Sequence, residues 1–178
     1  MIINRQWAMP NKNTFTIKPI DELIKKYIDK KDIVSIDPFA NKNRTALHCN
    51  DLDPQYETQY CMDALEFLKL FADESVDIVL FDPPYSPRQV SECYKNLDMT
   101  VNMQTTQSSF WGDLKKEISR ITKNKGVVIT FGWNSGGVGK VHHFDISEIL
   151  MIAHGGWHND TICTVEVKNK TQTEIIFN

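Results

Sequence analysis

Val76-Asp77-Ile78-Val79-Leu80-Phe81 runs directly into Asp82-Pro83-Pro84-Tyr85. The β-branched and aromatic run, closed by a proline pair, reads as a strand that stops at Asp82. Other apolar runs alternate with helical patterns on either side of it, which predicts a parallel sheet covered by helices. Residues 33–36 form a short strand leading to Asp37-Pro38-Phe39-Ala40, and 46–49 a second one ending at Asn50-Asp51. Before them, Leu23, Ile24, Tyr27 and Ile28 stand at helical spacing behind Asp21, a candidate cap. Asp63 suits the first turn or N-cap of a helix over 64–71.

Beyond Tyr85 the pattern is helical through Val90 and Tyr94, then polar from Lys95 to Gln107, which reads as a loop placed to touch substrate. Phe110, Leu114, Ile118 and Ile121 share one apolar helical face. Residues 126–133 form a further strand. Residues 149–153 and 161–167 flank Gly155-Gly156 and predict a terminal antiparallel hairpin, with Trp157-His158-Asn159 at its tip. No repeat or linker divides the chain, so residues 1–178 are expected to form one α/β domain.

Bulk properties narrow the class. The 178 residues are enough for one domain with a real core. No apolar run approaches the ~20 residues of a membrane span, and the N-terminus lacks a signal-peptide core, which predicts a cytoplasmic protein. The four cysteines, Cys49, Cys61, Cys93 and Cys163, are scattered without metal-ligand spacing. Reduced thiols and no metal are the expectation. A net charge of −3 argues against tight non-specific binding to nucleic acid and is neutral toward a catalytic encounter.

The chemistry concentrates at Asp82-Pro83-Pro84-Tyr85. An exocyclic amine on a planar base is a poor nucleophile because its lone pair is delocalised into the ring. A carboxylate and a fixed carbonyl, each accepting from one amine hydrogen, favour localisation of that lone pair in the transition state. Proline suits the second acceptor, having no N–H and a fixed φ. Tyr85 offers a face on which a base can stack, worth roughly 1–3 kcal/mol in nucleic-acid sites. Asp37, Asp51, Asp63 and Asp82 all stand at strand ends or helix starts, and in a doubly wound sheet such positions converge on one crevice.

These residues resemble the catalytic motif of the S-adenosylmethionine-dependent amino-methyltransferases, chiefly the DNA N6-adenine enzymes. The resemblance implies a Rossmann-like class I methyltransferase fold, a mostly parallel sheet with helices on both faces and a C-terminal antiparallel hairpin. It implies Asp82, Pro83, Pro84 and Tyr85 as catalytic residues and S-adenosylmethionine as cofactor. Asp37-Pro38-Phe39-Ala40 looks like the opening of the family's cofactor loop. Asp51 matches the acid that bonds the cofactor ribose, and Asp63 the acid that accepts from the cofactor adenine. The 7–19 segment is loosely similar to the one covering the methionine end of the cofactor.

Two departures qualify the resemblance. Asn41-Lys42-Asn43 replace the usual glycine turn, though asparagine tolerates left-handed backbone and Lys42 suits a carboxylate partner. Only about 21 residues, 86–106, are available for reading a target sequence. Specificity is therefore short or relaxed, or supplied by a homodimer or a partner subunit. Arg88, Lys95 and Lys140 are the candidate substrate contacts. Asn134-Ser135-Gly136-Gly137-Val138-Gly139-Lys140 hints at a phosphate loop but lacks its first glycine and following Ser/Thr, and reads better as a loop touching substrate. His142 and His143 are adjacent and cannot share one face of regular structure, which disfavours a metal site.

The expectation is thus a DNA adenine-N6 methyltransferase. An RNA methyltransferase acting on adenine N6 or guanine N2 is its nearest rival. A catalytically silent nucleic-acid-binding or partner subunit of the same fold is a third reading.

Overall fold

The computed structural model describes residues 1–97, 108–156 and 158–169. Among these residues seven strands make one sheet: β1 (Ile2–Trp7), β2 (Ser35–Asp37), β3 (His48–Cys49), β4 (Val76–Phe81), β5 (Thr122–Gly132), β6 (Phe144–Ala153) and β7 (Thr161–Lys168). Their order is β1-β6-β7-β5-β4-β2-β3. Pairing is parallel from β3 through β2 and β4 to β5, whereas β7 runs antiparallel to both β5 and β6. This is the α/β architecture with a terminal antiparallel hairpin that the alternation of patterns predicts. Trp157 at the hairpin tip and residues 98–107 of the expected polar loop lie outside the described residues.

Helices α1 (Lys18–Ile28), α2 (Ala64–Lys69), α3 (Pro87–Asn96) and α4 (Ser108–Ile121) connect the strands. The two faces of the sheet bury separate clusters. Ile20, Leu23 and Ile24 of α1 pack with Ile78, Leu80, Ile129 and Phe131 on one face. Phe67 and Leu68 of α2 and Leu114, Ile118 and Ile121 of α4 pack with Val79, Phe81 and Val128 on the other. Successive residues of β4 and β5 thus feed opposite cores, as the period-two geometry of a strand requires. That double burial is why 76–81 reads as a nearly continuous apolar run.

Three local readings change. Asp21 lies in the first turn of α1 but does not cap it; Ile17 holds the cap position, without a side-chain bond, and Pro19 stands in the first turn, where its missing N–H costs nothing. β5 begins at Thr122 rather than 126. β1 was not expected at all: Ile-Ile-Asn-Arg-Gln-Trp has no sustained alternation, and all six residues are exposed on the sheet edge, where pairing to β6 supplies the order.

The sheet sets the site through its strand order. From β2 the chain steps outward to β3, then returns to the other side of β2 to form β4. The carboxyl ends of β2 and β4, at Asp37 and Phe81-Asp82, therefore flank the switch point where ligands bind in open α/β sheets.

Candidate active site

A cavity of about 570 Å³ opens at this switch point. Pro38, Phe39 and Asn41 line it from the loop after β2, and Asp51 and Asp53 from the loop after β3. Asp63 and Ala64 line it at the start of α2, and Asp82, Pro83, Pro84 and Tyr85 after β4. The segment after β1 passes over the cavity with Lys12, Asn13 and Thr14, held down by Phe15, whose ring lies 4.6 Å from that of Phe131.

Three of the four acids singled out by position share this cavity, and the fourth lies beneath it. Asp37 is fully buried; its Oδ1 accepts from Phe39 N at 3.0 Å while its Oδ2 has no partner among the described residues. Burial pushes its carboxyl well above the ordinary range, with the charges of Asp82 and Asp51 adding to the shift. Ala40 is likewise buried and outside the lining. Asp51 accepts from Asn41 N at 2.8 Å and from Asp53 N at 2.9 Å, and burial raises its pKa despite these bonds. Asp63 caps α2 by accepting from Leu65 N at 2.8 Å and takes the Tyr94 hydroxyl at 2.5 Å. Each of these carboxylates keeps lone pairs beyond its internal bonds.

The Asn41-Lys42-Asn43 turn survives without glycine. Asn41 adopts φ +50°, a left-handed conformation that asparagine tolerates better than most residues. Arg44 then ties the turn in place. Its guanidinium donates to the carbonyls of Asn41, at 2.9 Å, and Asn43, and reaches across to the carbonyl of Tyr56 in the neighbouring loop. The fully buried Asn50 amide does the same from below: it donates to Pro38 O at 3.1 Å and Met62 O at 3.0 Å. Lys42 is exposed and outside the lining, so Lys12 is the cation at this cavity among the described residues.

Asp82 sits between two hydroxyls. The Tyr85 hydroxyl donates to Asp82 Oδ1, and the Thr14 hydroxyl lies beside the same carboxylate. Burial raises the Asp82 pKa, and these two hydroxyls oppose the shift. The turn that carries it is fixed from two sides. Trp111 Nε1 donates to Pro84 O at 3.1 Å, and Gln89 Oε1 accepts from Tyr85 N at 2.7 Å while Ser86 caps α3. Ser86-Pro87-Arg88-Gln89 carries the S-x-x-Q spacing of a capping box, a sequence signal that would have found Gln89.

A second cavity, about 360 Å³, meets the first at Pro83, Pro84 and Tyr85. It lies over the carboxyl end of β5 and is walled by Trp111, Trp133 and Tyr85, with Lys115 and Asn134 among its polar groups. The Tyr85 and Trp133 rings stand 5.2 Å apart. Trp111, Lys115 and Trp133 escaped sequence reasoning because the tryptophans read as part of an apolar helix and an apolar strand, and Lys115 as one of several charges on its helix.

The glycine-rich 134–140 loop contributes Asn134 and Gly137 to this second cavity. It is not a phosphate cradle. The fully buried Glu166 carboxylate accepts from Val138 N at 2.6 Å and Gly139 N at 2.9 Å, so the amides a phosphate needs face an acid instead. Of the candidate substrate contacts, Arg88 pairs with Glu92 along α3 at 2.8 Å. Arg88, Lys95 and Lys140 are exposed, and none of them lines either cavity. Among the described residues no group of His, Cys, Asp and Glu is placed to hold a metal ion, and no helix is long and apolar enough to cross a membrane.

Comparison with known proteins yields fold but no family. No family model matches the chain, and no curated protein matches it. Among solved structures, TrmN from Thermus thermophilus superposes with a TM-score of 0.56 at 14% identity, over 85% of this chain and 49% of its own. The chain thus spans about half the length of TrmN. A Burkholderia thailandensis 1,6-didemethyltoxoflavin-N1-methyltransferase, holding its substrate and S-adenosylhomocysteine, gives 0.57 at 10% identity, over 86% of this chain and 78% of its own. A Geobacter metallireducens precorrin-6y C5,15-methyltransferase gives 0.54 at 13% identity, over 91% and 93%. The chain has the Rossmann-like fold of these methyltransferases.

Proposed function

We propose that this protein transfers a methyl group from S-adenosylmethionine to the N6 amine of adenine in DNA. The observation that carries the reading is the meeting of two cavities at Pro83, Pro84 and Tyr85, with the half-buried Asp82 carboxylate next to them in the lining of the larger one. One cavity suits a methyl donor and the other a planar acceptor, so donor and nucleophile can approach in line.

The residues of the larger cavity fit the cofactor. Its described lining carries Asp51, Asp53, Asp63, Asp82 and Glu92 against the single cation Lys12. That balance suits a ligand with a sulfonium, an ammonium and one carboxylate. Asp51 is available to ribose hydroxyls, Asp63 to an adenine amine and Lys12 to the carboxylate. A neighbour of the same fold that holds S-adenosylhomocysteine supports this choice. When bound, S-adenosylmethionine supplies an activated methyl on its sulfonium.

The chain's own part is positioning and electrostatics. Asp82 accepts one hydrogen of the acceptor amine, exchanging the Tyr85 hydroxyl for it, and the Pro83 carbonyl accepts the other. Trp111 already occupies the Pro84 carbonyl, which leaves that of Pro83 for the amine. Tyr85 and Trp133 offer stacking faces for the base. A duplex substrate must flip its adenine out, at a cost of a few kcal/mol.

Arg44 supplies a test of the cofactor loop. Arg44→Ala is expected to weaken S-adenosylmethionine binding at least ten-fold, ~1.4 kcal/mol, by titration calorimetry. Its side chain is exposed and, among the described residues, bonds the carbonyls of two site loops, so the melting temperature should move little. A large fall in melting temperature, or an unchanged affinity, would contradict this role.

The decisive experiment incubates the protein with S-adenosylmethionine and unmethylated DNA, with RNA of matched sequence in parallel, followed by nucleoside analysis. N6-methyladenine in the DNA is the expected product. Product in RNA alone would transfer the reading to its rival. No product in either, with no cofactor binding up to millimolar concentration, would sink both.

A further inference from the structure

The two cavities differ sharply in charge. The larger is rimmed by carboxylates, which repel a phosphate backbone; Glu92 on α3 also neutralises Arg88, the nearest candidate phosphate partner there. The described lining of the smaller cavity contains no acid and one cation, Lys115. The short turn Lys140–His142 follows the loop that lines this cavity and is fastened to the helix that carries Lys115 by the Ser119 hydroxyl donating to His142 O at 3.0 Å. Acids close by are already engaged. Glu117 pairs with Arg120 at 2.8 Å, and the buried Glu166 accepts from Val138 N and Gly139 N, with the Lys115 charge also within its reach. The His142 imidazole is held below its ordinary pKa, first by burial and then by the charges of Lys115 and His143. The Lys115 contribution to that shift places its ammonium close to the turn. Trp133, 47% exposed beside Tyr85, adds an aromatic platform at the mouth.

We propose that the nucleic-acid strand delivering the acceptor base crosses the mouth of the smaller cavity, stacking on Trp133 and laying its phosphates on Lys115 and on Lys140 of the turn. The strand approaches from the α4 side of the sheet because the carboxylate-lined cavity excludes it from the other. Cations and an exposed aromatic ring together make the general pattern of a surface that holds a single strand. This placement rests on the nucleic-acid reading above and adds a location: the backbone is held by α4 and the 140–142 turn rather than by α3.

The test is a salt series on binding of a fluorescent adenine-containing oligonucleotide, single-stranded and duplex, to the full chain. Removing one lysine that neutralises a phosphate should reduce the slope of log affinity against log salt by about 0.7–0.9. Lys115→Ala and Lys140→Ala are each expected to show about that reduction, with S-adenosylmethionine affinity unchanged. Trp133→Ala should weaken binding with little change in slope, since stacking releases no counterion. Lys31→Ala, in the turn leading into β2 at the opposite end of the sheet, serves as control. Unchanged slopes in the Lys115 and Lys140 variants would overturn the proposal. So would an equal reduction in the Lys31 variant, or no oligonucleotide binding by the unaltered protein at low salt. Binding with the expected slopes but no methyl transfer would sustain the surface while removing the enzymatic reading, so the two can fail separately.

Discussion

Asp82→Ala is expected to lower kcat for methyl transfer by about 10²–10³, the usual cost of losing one preorganised charge-stabilising group. Cofactor affinity should stay within about three-fold, because Asp51, Asp63 and the Arg44-tied loop remain. Stability should move the other way. Burial raises the Asp82 pKa in the folded protein above its unfolded value, so the folded state holds the proton to higher pH. The stability associated with that proton is complete below the ordinary carboxylate range and is lost as pH rises through the raised value. At neutral pH the ionised Asp82 is therefore a cost that alanine removes, partly offset by the stranded Tyr85 hydroxyl. Thermal melts should show the variant equal to or above the parent at pH 7, with that advantage shrinking toward acid. A variant that retains a tenth of its activity, or that loses cofactor binding together with catalysis, would refute the role given to Asp82.

Gly137→Ala is expected to be the most destabilising single methyl added to the described site. Gly137 has φ +52°, where an L side chain costs about 1–2 kcal/mol. A Cβ there would also stand 2.2 Å from Glu166 Oε2, a distance no carboxylate tolerates. Glu166 can retreat only by surrendering its bonds to Val138 N and Gly139 N, each charge-assisted and worth about 1.5–3 kcal/mol. A loss of about 3–5 kcal/mol in urea unfolding follows from these contributions. The displaced loop carries Trp133 and Asn134, so KM for the acceptor should rise while cofactor affinity holds. A loss below about 1 kcal/mol would mean that the loop is less tightly pinned than its bonds indicate.

Much of this molecule could be read from local pattern. The 76–81 run becomes β4 residue for residue, since a strand buried on both faces needs little from context to be recognised. Asp63 caps α2 as its position suggests, and Asn41 takes the left-handed turn that its neighbours lack the glycine to supply. By contrast β1 exists only because β6 offers an unpaired edge; nothing in its six exposed residues encodes a strand independently. The same holds for Arg44, whose three carbonyl partners belong to two separate loops.

The chemistry proposed for Asp82-Pro83-Pro84-Tyr85 rests on residue identity, because a carboxylate, a fixed carbonyl and a ring carry the same chemical capacities wherever they are placed. Sequence also located Asp37, Asp51 and Asp63 at element ends, and strand topology then decided which of them face the cavity. Folding left Asp51 and Asp63 in the lining and sealed Asp37 beneath it. It also brought Trp111 and Trp133, from α4 and the end of β5, to the far side of the same turn. Those distinctions depend on which strands lie side by side and how deeply each end is covered. Both are settled by long-range packing, which no spacing along the chain records.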